Sequence, residues 1–407
     1  MSKIKRLLII SYWFPPANII GAVRPAKIAR FFLNQGWQVD VIAMSGLTQD
    51  HGYTENLQGI NVDYIPANIL QHFETSPHSS MMVRVLKMIL RKCFFPDHFL
   101  LFYFAILKHS LRKYQGKPKP DIIITSALPF STHLVGKALK SKFHCHWIAD
   151  NRDLWSLNLY RKTNPLKKYF EKMFEMKVLR HADSVLAIGH VMAGEYKEKL
   201  SIKNVSVVMN GADRIPLHCD SNLSGKDFKT SDVIRFIYTG QLYRGVRNLT
   251  PIFDALVQSE YLNKFKIDFY GTESSEIEKY KKNYPQLKIT EYQKVSKDKI
   301  KELQENADFL LLAIGSGPFE KGVMTGKFFE YLETGHPIIC SANEDTELAI
   351  LIEKYSLGIA SDNPKKILTF VQRCIDTNQL SIPFPLELSR ESQLTSLQKI
   401  CEDLLCH

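Results

Sequence analysis

Few folds accommodate the stretch Met324-Thr325-Gly326-Lys327-Phe328-Phe329-Glu330-Tyr331-Leu332-Glu333-Thr334-Gly335-His336-Pro337, which runs on into Ile338-Ile339-Cys340-Ser341. Thr325 reads as a helix N-cap, and Gly335 with Pro337 behind it reads as a stop. A helix of about two and a half turns is predicted between them. The apolar run that follows does not alternate, so it predicts a strand buried on both faces of a parallel sheet. A helix start with a glycine against it presents free N–H groups and a positive dipole end, which suits a phosphate. Lys327 adds a point charge there, and Glu330, one turn further in, is placed to accept hydrogen bonds from sugar hydroxyls. The plainer alternative is a core helix in which Glu330 pairs with Lys327 at i,i+3.

The pattern Thr-Gly-Lys-Phe-Phe-Glu-Tyr-Leu-Glu-Thr-Gly-His-Pro-Ile resembles the donor-binding signature of retaining glycosyltransferases with the GT-B fold. The resemblance implies that Glu330 holds the ribose hydroxyls of a nucleotide sugar while Thr325, Gly326 and Lys327 lie at the diphosphate. Many relatives carry an earlier acid that touches the donor sugar. The matching place here is Gly322, with Glu320 nearby but out of register.

At 407 residues the chain has room for two domains with separate cores, and 45% hydrophobic with 23% charged residues is an ordinary globular composition. A net charge of +11 suits an anionic partner: a nucleotide diphosphate, a membrane surface or a nucleic acid. Seven scattered cysteines without a Cys-x-x-Cys pair argue for a reducing cytoplasm and against a zinc site. No signal-peptide pattern and no stretch of about 18 apolar residues is present, so a cytosolic chain is expected.

From the N-terminus, Arg-Leu-Leu-Ile-Ile-Ser at 6–11 is a strand, Pro15-Pro16 a loop, and Gly21-Ala22-Val23-Arg24 leads into a helix ending near Gln35-Gly36. Residues 38–43 give the second strand of a right-handed β-loop-α-β unit. The absence of Gly-x-Gly-x-x-Gly argues against a dinucleotide cofactor. The opening Tyr12-x-Phe14-Pro15-Pro16 with Gly21 and Arg24 resembles that of sugar-polymer glycosyltransferases of the same family. This makes Gly21 and Arg24 acceptor-site candidates, with a surface role for Arg24 as the alternative. In residues 82–113, Met82, Val85, Leu86, Ile89 and Cys93 share one helical face and Arg84, Lys87 and Arg91 another, followed by an apolar run and Lys108, Arg112 and Lys113. This region either contacts an anionic membrane as an interfacial helix or packs on the N-terminal sheet. Asp121-Ile122-Ile123-Ile124-Thr125-Ser126 is a further strand, and ligands gather at the carboxyl ends of such strands, so Ser126 and His133 are expected to face the cleft.

The strand His146-Trp147-Ile148-Ala149 ends in Asp150-Asn151-Arg152-Asp153-Leu154-Trp155. Asp-x-Arg-Asp-x-Trp is similar to a segment found at this place in bacterial sugar-polymer glycosyltransferases. By that resemblance Asp150 or Asp153 orients or deprotonates the acceptor hydroxyl, and Arg152 fixes them or holds a phosphate; a buried structural Arg–Asp pair is the alternative. Residues 165–181 form a long basic helix, Asn210-Gly211-Ala212-Asp213 resembles the turn that closes the first domain, and 214–231 is a polar linker.

The second half restarts with the strand Ile234-Arg235-Phe236-Ile237-Tyr238, then Thr239-Gly240-Gln241-Leu242-Tyr243-Arg244-Gly245, whose glycine loop offers amides to phosphate. The family's loop supplies one Arg and one Lys to the diphosphate. Arg244 matches the second, Gln241 stands where the first would be, and Arg247 is the candidate replacement. Tyr292, Val295 and Ser296 fall where the family stacks on the base and caps the next helix.

The expectation is an α/β, GT-B chain of two Rossmann-like domains with parallel sheets facing across a cleft: residues 1–213 for acceptor, 232–385 for nucleotide sugar, and a helix in 386–407 bracing the first. The resemblance implies a retaining transferase moving a hexose or N-acetylhexosamine from a UDP-type donor to a lipid-linked saccharide of a surface polysaccharide. It needs no metal and no protein nucleophile, because the leaving diphosphate takes the acceptor's proton. The chain is expected in the cytoplasm, peripheral on the inner face of the plasma membrane, with no nucleic-acid partner. Two other classes fit less: a sugar-nucleotide epimerase of the same fold, and a non-catalytic basic adaptor, which leaves Lys327 and Glu330 unexplained.

Overall fold

The computed structural model describes residues 4–17, 19–44, 56–66, 95–97, 99–158, 161, 164–216, 233–242, 247–315, 317 and 320–406. The candidate helix at 82–93, most of the 214–231 linker, and Arg244 lie outside the described residues. The chain divides into two compact units, residues 1–209 with 394–407, and residues 210–393.

The first unit is built on a seven-stranded parallel sheet: β1 Arg6–Ser11, β2 Gln38–Met44, β3 Asn61–Ile65, β4 Ile122–Ser126, β5 His146–Asp150, β6 Ser184–Ala187 and β7 Val205–Val207, in the order β3-β2-β1-β4-β5-β6-β7. Ile122, Ile123 and Ile124 are fully buried, which explains why this strand shows no polar alternation. Around the sheet run α1 Ile20–Asn34, α2 Leu100–Lys113, α3 Ser131–Phe143, α4 Pro165–Leu179 and α5 His190–Leu200. Helix α1 buries Ala26, Ile28, Ala29 and Phe32 in the same core as Leu7, Ile9, Val39 and Val41. Burying one such aromatic contributes about 1.5–3 kcal/mol. The order reverses direction between β1 and β4, so the first unit's ligand crevice is expected beside Ser11 and Ser126.

Helix α2 packs rather than lying free. Phe102, Ile106 and Ser110 are buried, Lys113 pairs with Asp63 at 2.8 Å and Asp40 at 3.1 Å, and Tyr114 donates to Asp40 at 2.7 Å. This part of 82–113 packs on the first sheet through that face, while Phe104, Lys108, Leu111 and Arg112 are exposed on the rest of the helix. Among the described residues no helix is long and apolar enough to cross a membrane.

The second unit repeats the plan with six strands: β8 Ile234–Thr239, β9 Phe265–Tyr270, β10 Lys288–Tyr292, β11 Phe309–Ala313, β12 Ile338–Ser341 and β13 Gly358–Ala360, all parallel, in the order β10-β9-β8-β11-β12-β13. Its helices are α6 Thr250–Leu256, α7 Ser274–Asn283, α8 Lys297–Glu305, α9 Gly326–Leu332, α10 Glu347–Lys354 and α11 Pro364–Asp376. Gly211 has φ +73°, and a Cβ on it would stand 2.5 Å from the Arg390 Cα, so the returning chain can approach only a glycine. Arg390 closes this approach by pairing with Asp213 at 2.6 Å. The last helix, α12 Arg390–Cys406, puts Leu394, Leu397 and Cys401 into the core of the first unit.

Gly136, in α3, marks a close helix-to-sheet approach in the first unit: a Cβ there would be 2.3 Å from Trp147 Nε1 and 2.7 Å from Thr125 Cγ2. Alanine is the better helix former by about 1 kcal/mol, yet overpacking of this kind costs about 1–3 kcal/mol. Gly136→Ala is therefore expected to lower stability in urea unfolding, and an unchanged or raised midpoint would show that α3 does not press on Trp147.

Candidate active site

At the strand ends of the first unit, a guanidinium is locked in place. Arg24 is 4% exposed and Asp150 is fully buried. Arg24 Nη2 donates to Asp150 Oδ1 at 2.8 Å, Nε reaches Oδ1 and Oδ2 at 3.0 Å each, and Nη1 and Nη2 donate to the Met209 and Val208 carbonyls at 3.0 Å. Two residues singled out for substrate thus turn to each other. Arg24 does not offer its charge to an acceptor, and Asp150 does not offer a lone pair as a base, because a buried ion pair must be satisfied from within. The Arg–Asp alternative holds for Asp150, with Arg24 and not the neighbouring Arg152 as its partner.

Arg152 is held by backbone. Its Nε donates to the Ala127 carbonyl and its Nη1 to the Gly21 carbonyl, both at 2.8 Å. The second bond has a cause in the sequence. Pro25 lies inside α1 and lacks the N–H that would otherwise bond to Gly21, which leaves that carbonyl open for Arg152. Gly21 also gives Arg152 room, since a Cβ there would sit 3.1 Å from Nη1. Desolvation lowers the pKa of Arg152, against the pull of Asp150. Asp153 is exposed, and partial desolvation by the chain around it raises its pKa, with Arg152 opposing. Of the two acids, Asp153 is the one that reaches solvent. Ser126 Oγ is buried with no hydrogen-bond partner among the described residues, on the residue directly opposite Asp150 in the β4–β5 register.

His133 does not face a crevice. It is fully buried in a chain of hydrogen bonds that the sequence reading missed. Trp147 Nε1 donates to Thr125 Oγ1 at 2.8 Å, Thr125 Oγ1 meets His133 Nδ1 at 2.8 Å, and His133 Nε2 meets Asn151 Oδ1 at 3.0 Å. Since the indole can only donate, Thr125 gives its proton to Nδ1 and His133 carries its own on Nε2. Burial pushes the imidazole down to about 4, so it is neutral at pH 7 and serves to seat Asn151 beside Asp150. A Thr and a Trp in adjacent inward-facing strands were the only signal of this network.

In the second unit the direction reverses between β8 and β11, and the signature helix α9 starts at that place. Thr325 occupies the N-cap position, but its side chain makes no capping bond, and the helix spans seven residues rather than two and a half turns. Lys327 does not pair with Glu330. Its Nζ donates to Tyr238 Oη at 3.1 Å and lies 4.3 Å from the centre of that ring. Gly240 (φ +83°) makes the room, because a Cβ there would be 3.1 Å from Lys327 Cε. Burial, with Arg247 nearby, pushes the Lys327 ammonium down to about 8. Glu330 is half-buried and raised by desolvation, with Lys297 opposing.

Around this lysine the loops are pinned. Gln241 Nε2 donates to the Gly271 carbonyl at 2.6 Å, and Thr272 Oγ1 donates to the Gly240 carbonyl at 2.7 Å. Arg247 pairs with buried Glu320 at 3.1 Å, and Glu320 also accepts from the Gly315 amide at 3.0 Å. Glu320 thus acts as an anchor for Arg247 and the 315 loop. Tyr292 stacks on Tyr270 at 4.6 Å, and Ser296 caps α8 through the Lys299 amide.

Residues 22–214 match the model of Glycosyltransferase Family 4. No curated protein sequence matches the chain. Solved structures do. The catalytic domain of starch synthase IV from Arabidopsis thaliana, bound to ADP and acarbose, has TM-score 0.66 and 11% identity, covering 100% of both chains. The apo lipopolysaccharide outer core galactosyltransferase WaaB has TM-score 0.61 and 14% identity, covering 98% of this chain and 99% of that one. Anabaena HepE in complex with UDP-glucose has TM-score 0.58 and 12% identity, covering 99% and 100%. Such identities establish the fold, which is GT-B.

Two outcomes are expected. An ammonium near 8 is charged below that pH and neutral above it, so affinity for UDP should fall as pH rises from about 7 to about 9, and Lys327→Gln should bind weakly at every pH. A flat wild-type profile in calorimetry would show that Lys327 does not meet the anion. Arg24→Met strands a buried carboxylate and should cost about 3–5 kcal/mol in chemical unfolding, partly recovered by adding Asp150→Leu. Equal stability of Arg24→Met and the wild type would remove the pair from its structural role. With a Glycosyltransferase Family 4 domain over residues 22–214 and the GT-B fold over its length, the chain is a glycosyltransferase.

Proposed function

We propose that the chain is a retaining glycosyltransferase that moves a hexose or N-acetylhexosamine from a nucleotide sugar, best a UDP form, onto a lipid-linked saccharide in surface-polysaccharide assembly. The observation that carries the donor half is Lys327. A partly desolvated ammonium is held on Tyr238 beside Gly240, at the strand ends of a doubly wound sheet, with Glu330 one turn further along α9. Binding sites in such sheets lie at that topological position. A cation kept there is drawn to a diphosphate and stabilises the negative charge that develops as the diphosphate leaves. Glu330 accepts from ribose hydroxyls. Fixed cations and backbone amides take the charge-stabilising task, so this reading requires no metal.

Retention follows if the departing diphosphate accepts the acceptor's proton and the hydroxyl attacks on the same face. The C1–O bond to the diphosphate breaks, the new C1–O bond forms, and the proton leaves on a phosphate oxygen. No protein nucleophile takes part. In the first unit, Asp153, Ser126 and Gly21 remain as groups for the acceptor, with Arg152 held by the Ala127 and Gly21 carbonyls. The UDP-glucose held by HepE and the galactosyl transfer named for WaaB support a nucleotide-sugar donor. A lipid-linked acceptor would place the enzyme in the cytoplasm, peripheral on the inner face of the plasma membrane.

Thermal unfolding against a panel of UDP-, GDP- and ADP-sugars tests the donor half. A ligand at one hundred times its dissociation constant stabilises by about 2.7 kcal/mol. A UDP-sugar is expected to raise the wild-type Tm, and Glu330→Ala to lose most of that rise. No shift with any nucleotide would refute the reading.

A further inference from the structure

The outer face of α4 is apolar where a surface helix is normally polar. Leu166, Tyr169, Phe170 and Met173 are 64%, 59%, 57% and 42% exposed. Their spacing of i, i+3, i+4 and i+7 puts them on one stripe, the kind a globular helix turns inward. The inward face instead carries Glu171 and Glu175, 1% and 0% exposed. Glu175 Oε2 accepts from the Ser156 amide at 2.9 Å, and Glu171 Oε1 accepts from Arg161 Nη2 at 2.9 Å. Both bonds hold the segment that continues from Asp153, so the helix cannot roll its apolar stripe inward without stranding two buried carboxyls.

We propose that α4 is the membrane-contacting element of this enzyme, with its outer stripe laid into the interface of an anionic bilayer. The reading rests on the peripheral membrane contact proposed above and moves that contact from residues 82–113 to 165–181. Charge selects the occupant. Lys167 and Lys172 border the stripe, one on each side, and Lys177 and Arg180 are exposed at its C-terminal end. Beside them a hollow of about 580 Å³ is lined by Phe170, Met173, Phe174 and Met176 together with Lys177 and Arg180. Apolar side chains at acyl-chain depth with ammonium and guanidinium groups at phosphate height are what an anionic lipid surface binds. The stripe is four residues long on a fifteen-residue helix, enough to lie in an interface and too short to span one. The inner face of the same helix anchors the segment that starts at Asp153, so a bilayer under α4 would bring a lipid-borne acceptor to the unit that carries the acceptor groups.

Co-sedimentation with vesicles of phosphatidylcholine alone, and of phosphatidylcholine mixed with phosphatidylglycerol, tests this on the full chain. The wild type should bind the mixed vesicles and be released by salt. The double variant Phe170→Glu/Met173→Glu should lose about tenfold or more of that binding, while Arg112→Glu should retain it. UDP-sugar thermal shifts, read on the same variants, should not change, which separates this proposal from the donor reading and reports that the variant is folded. Wild type that stays in the supernatant with anionic vesicles, or a double variant that binds them as the wild type does, would overturn it.

Discussion

The buried pair between Arg24 and Asp150 is the contact on which the first unit's strand ends depend. One guanidinium ties the first helix, the end of β5 and the carbonyls of Val208 and Met209, segments as far as 185 residues apart in sequence. Two desolvated charges are tolerable in such a place only because their donors and acceptors are met by one another and by backbone. Asn151, next to Asp150, is seated by His133, and Arg152 is seated by Ala127 and by the carbonyl that Pro25 leaves open. The Asp-x-Arg-Asp-x-Trp segment is thus held at each of its first three residues, and Asp153 projects from a rigid base.

The second unit solves a different problem. A diphosphate site needs a cation that is not already neutralised, and an unpaired ammonium resists burial. Tyr238 resolves this by offering Lys327 a hydroxyl and an aromatic face without a counter-charge, so the lysine is fixed in place and its charge stays available. Arg247 is treated in the opposite way, being bound to Glu320. Two nearby cations therefore have different surroundings: Arg247 is bound to a carboxylate, Lys327 rests on a neutral hydroxyl and ring, and the proposed function gives the diphosphate to the second.

Much of the architecture was legible because its signals are local. Isoleucine runs without alternation mean strands covered on both faces, and Gly and Pro after a helical stretch mean an ending. Glycine at 240 beside a strand end, with lysine in the next signature, already pointed to an anion. The partners of the charged residues were not legible. Arg152 is two residues from Asp150, yet the pairing goes to Arg24, 126 residues away, because the fold brings the first turns of α1 within side-chain reach of the carboxyl end of β5. His133 looked like a crevice residue from its place after β4, but the helix turns it inward onto Thr125. Periodicity would have buried the stripe on α4; the carboxylates beneath it show that the helix is turned outward.

The amino-acid sequence by itself determined the two doubly wound domains, the position of the signature proposed for the donor and the family pattern, since these follow from hydrophobic periodicity and from residues adjacent in the chain. Only the tertiary structure decided which charges are consumed in the fold and which remain for chemistry. The reason is physical: whether a charge is paired depends on groups within about 4 Å, and in a parallel sheet those groups come from strands and helices separated by whole crossovers.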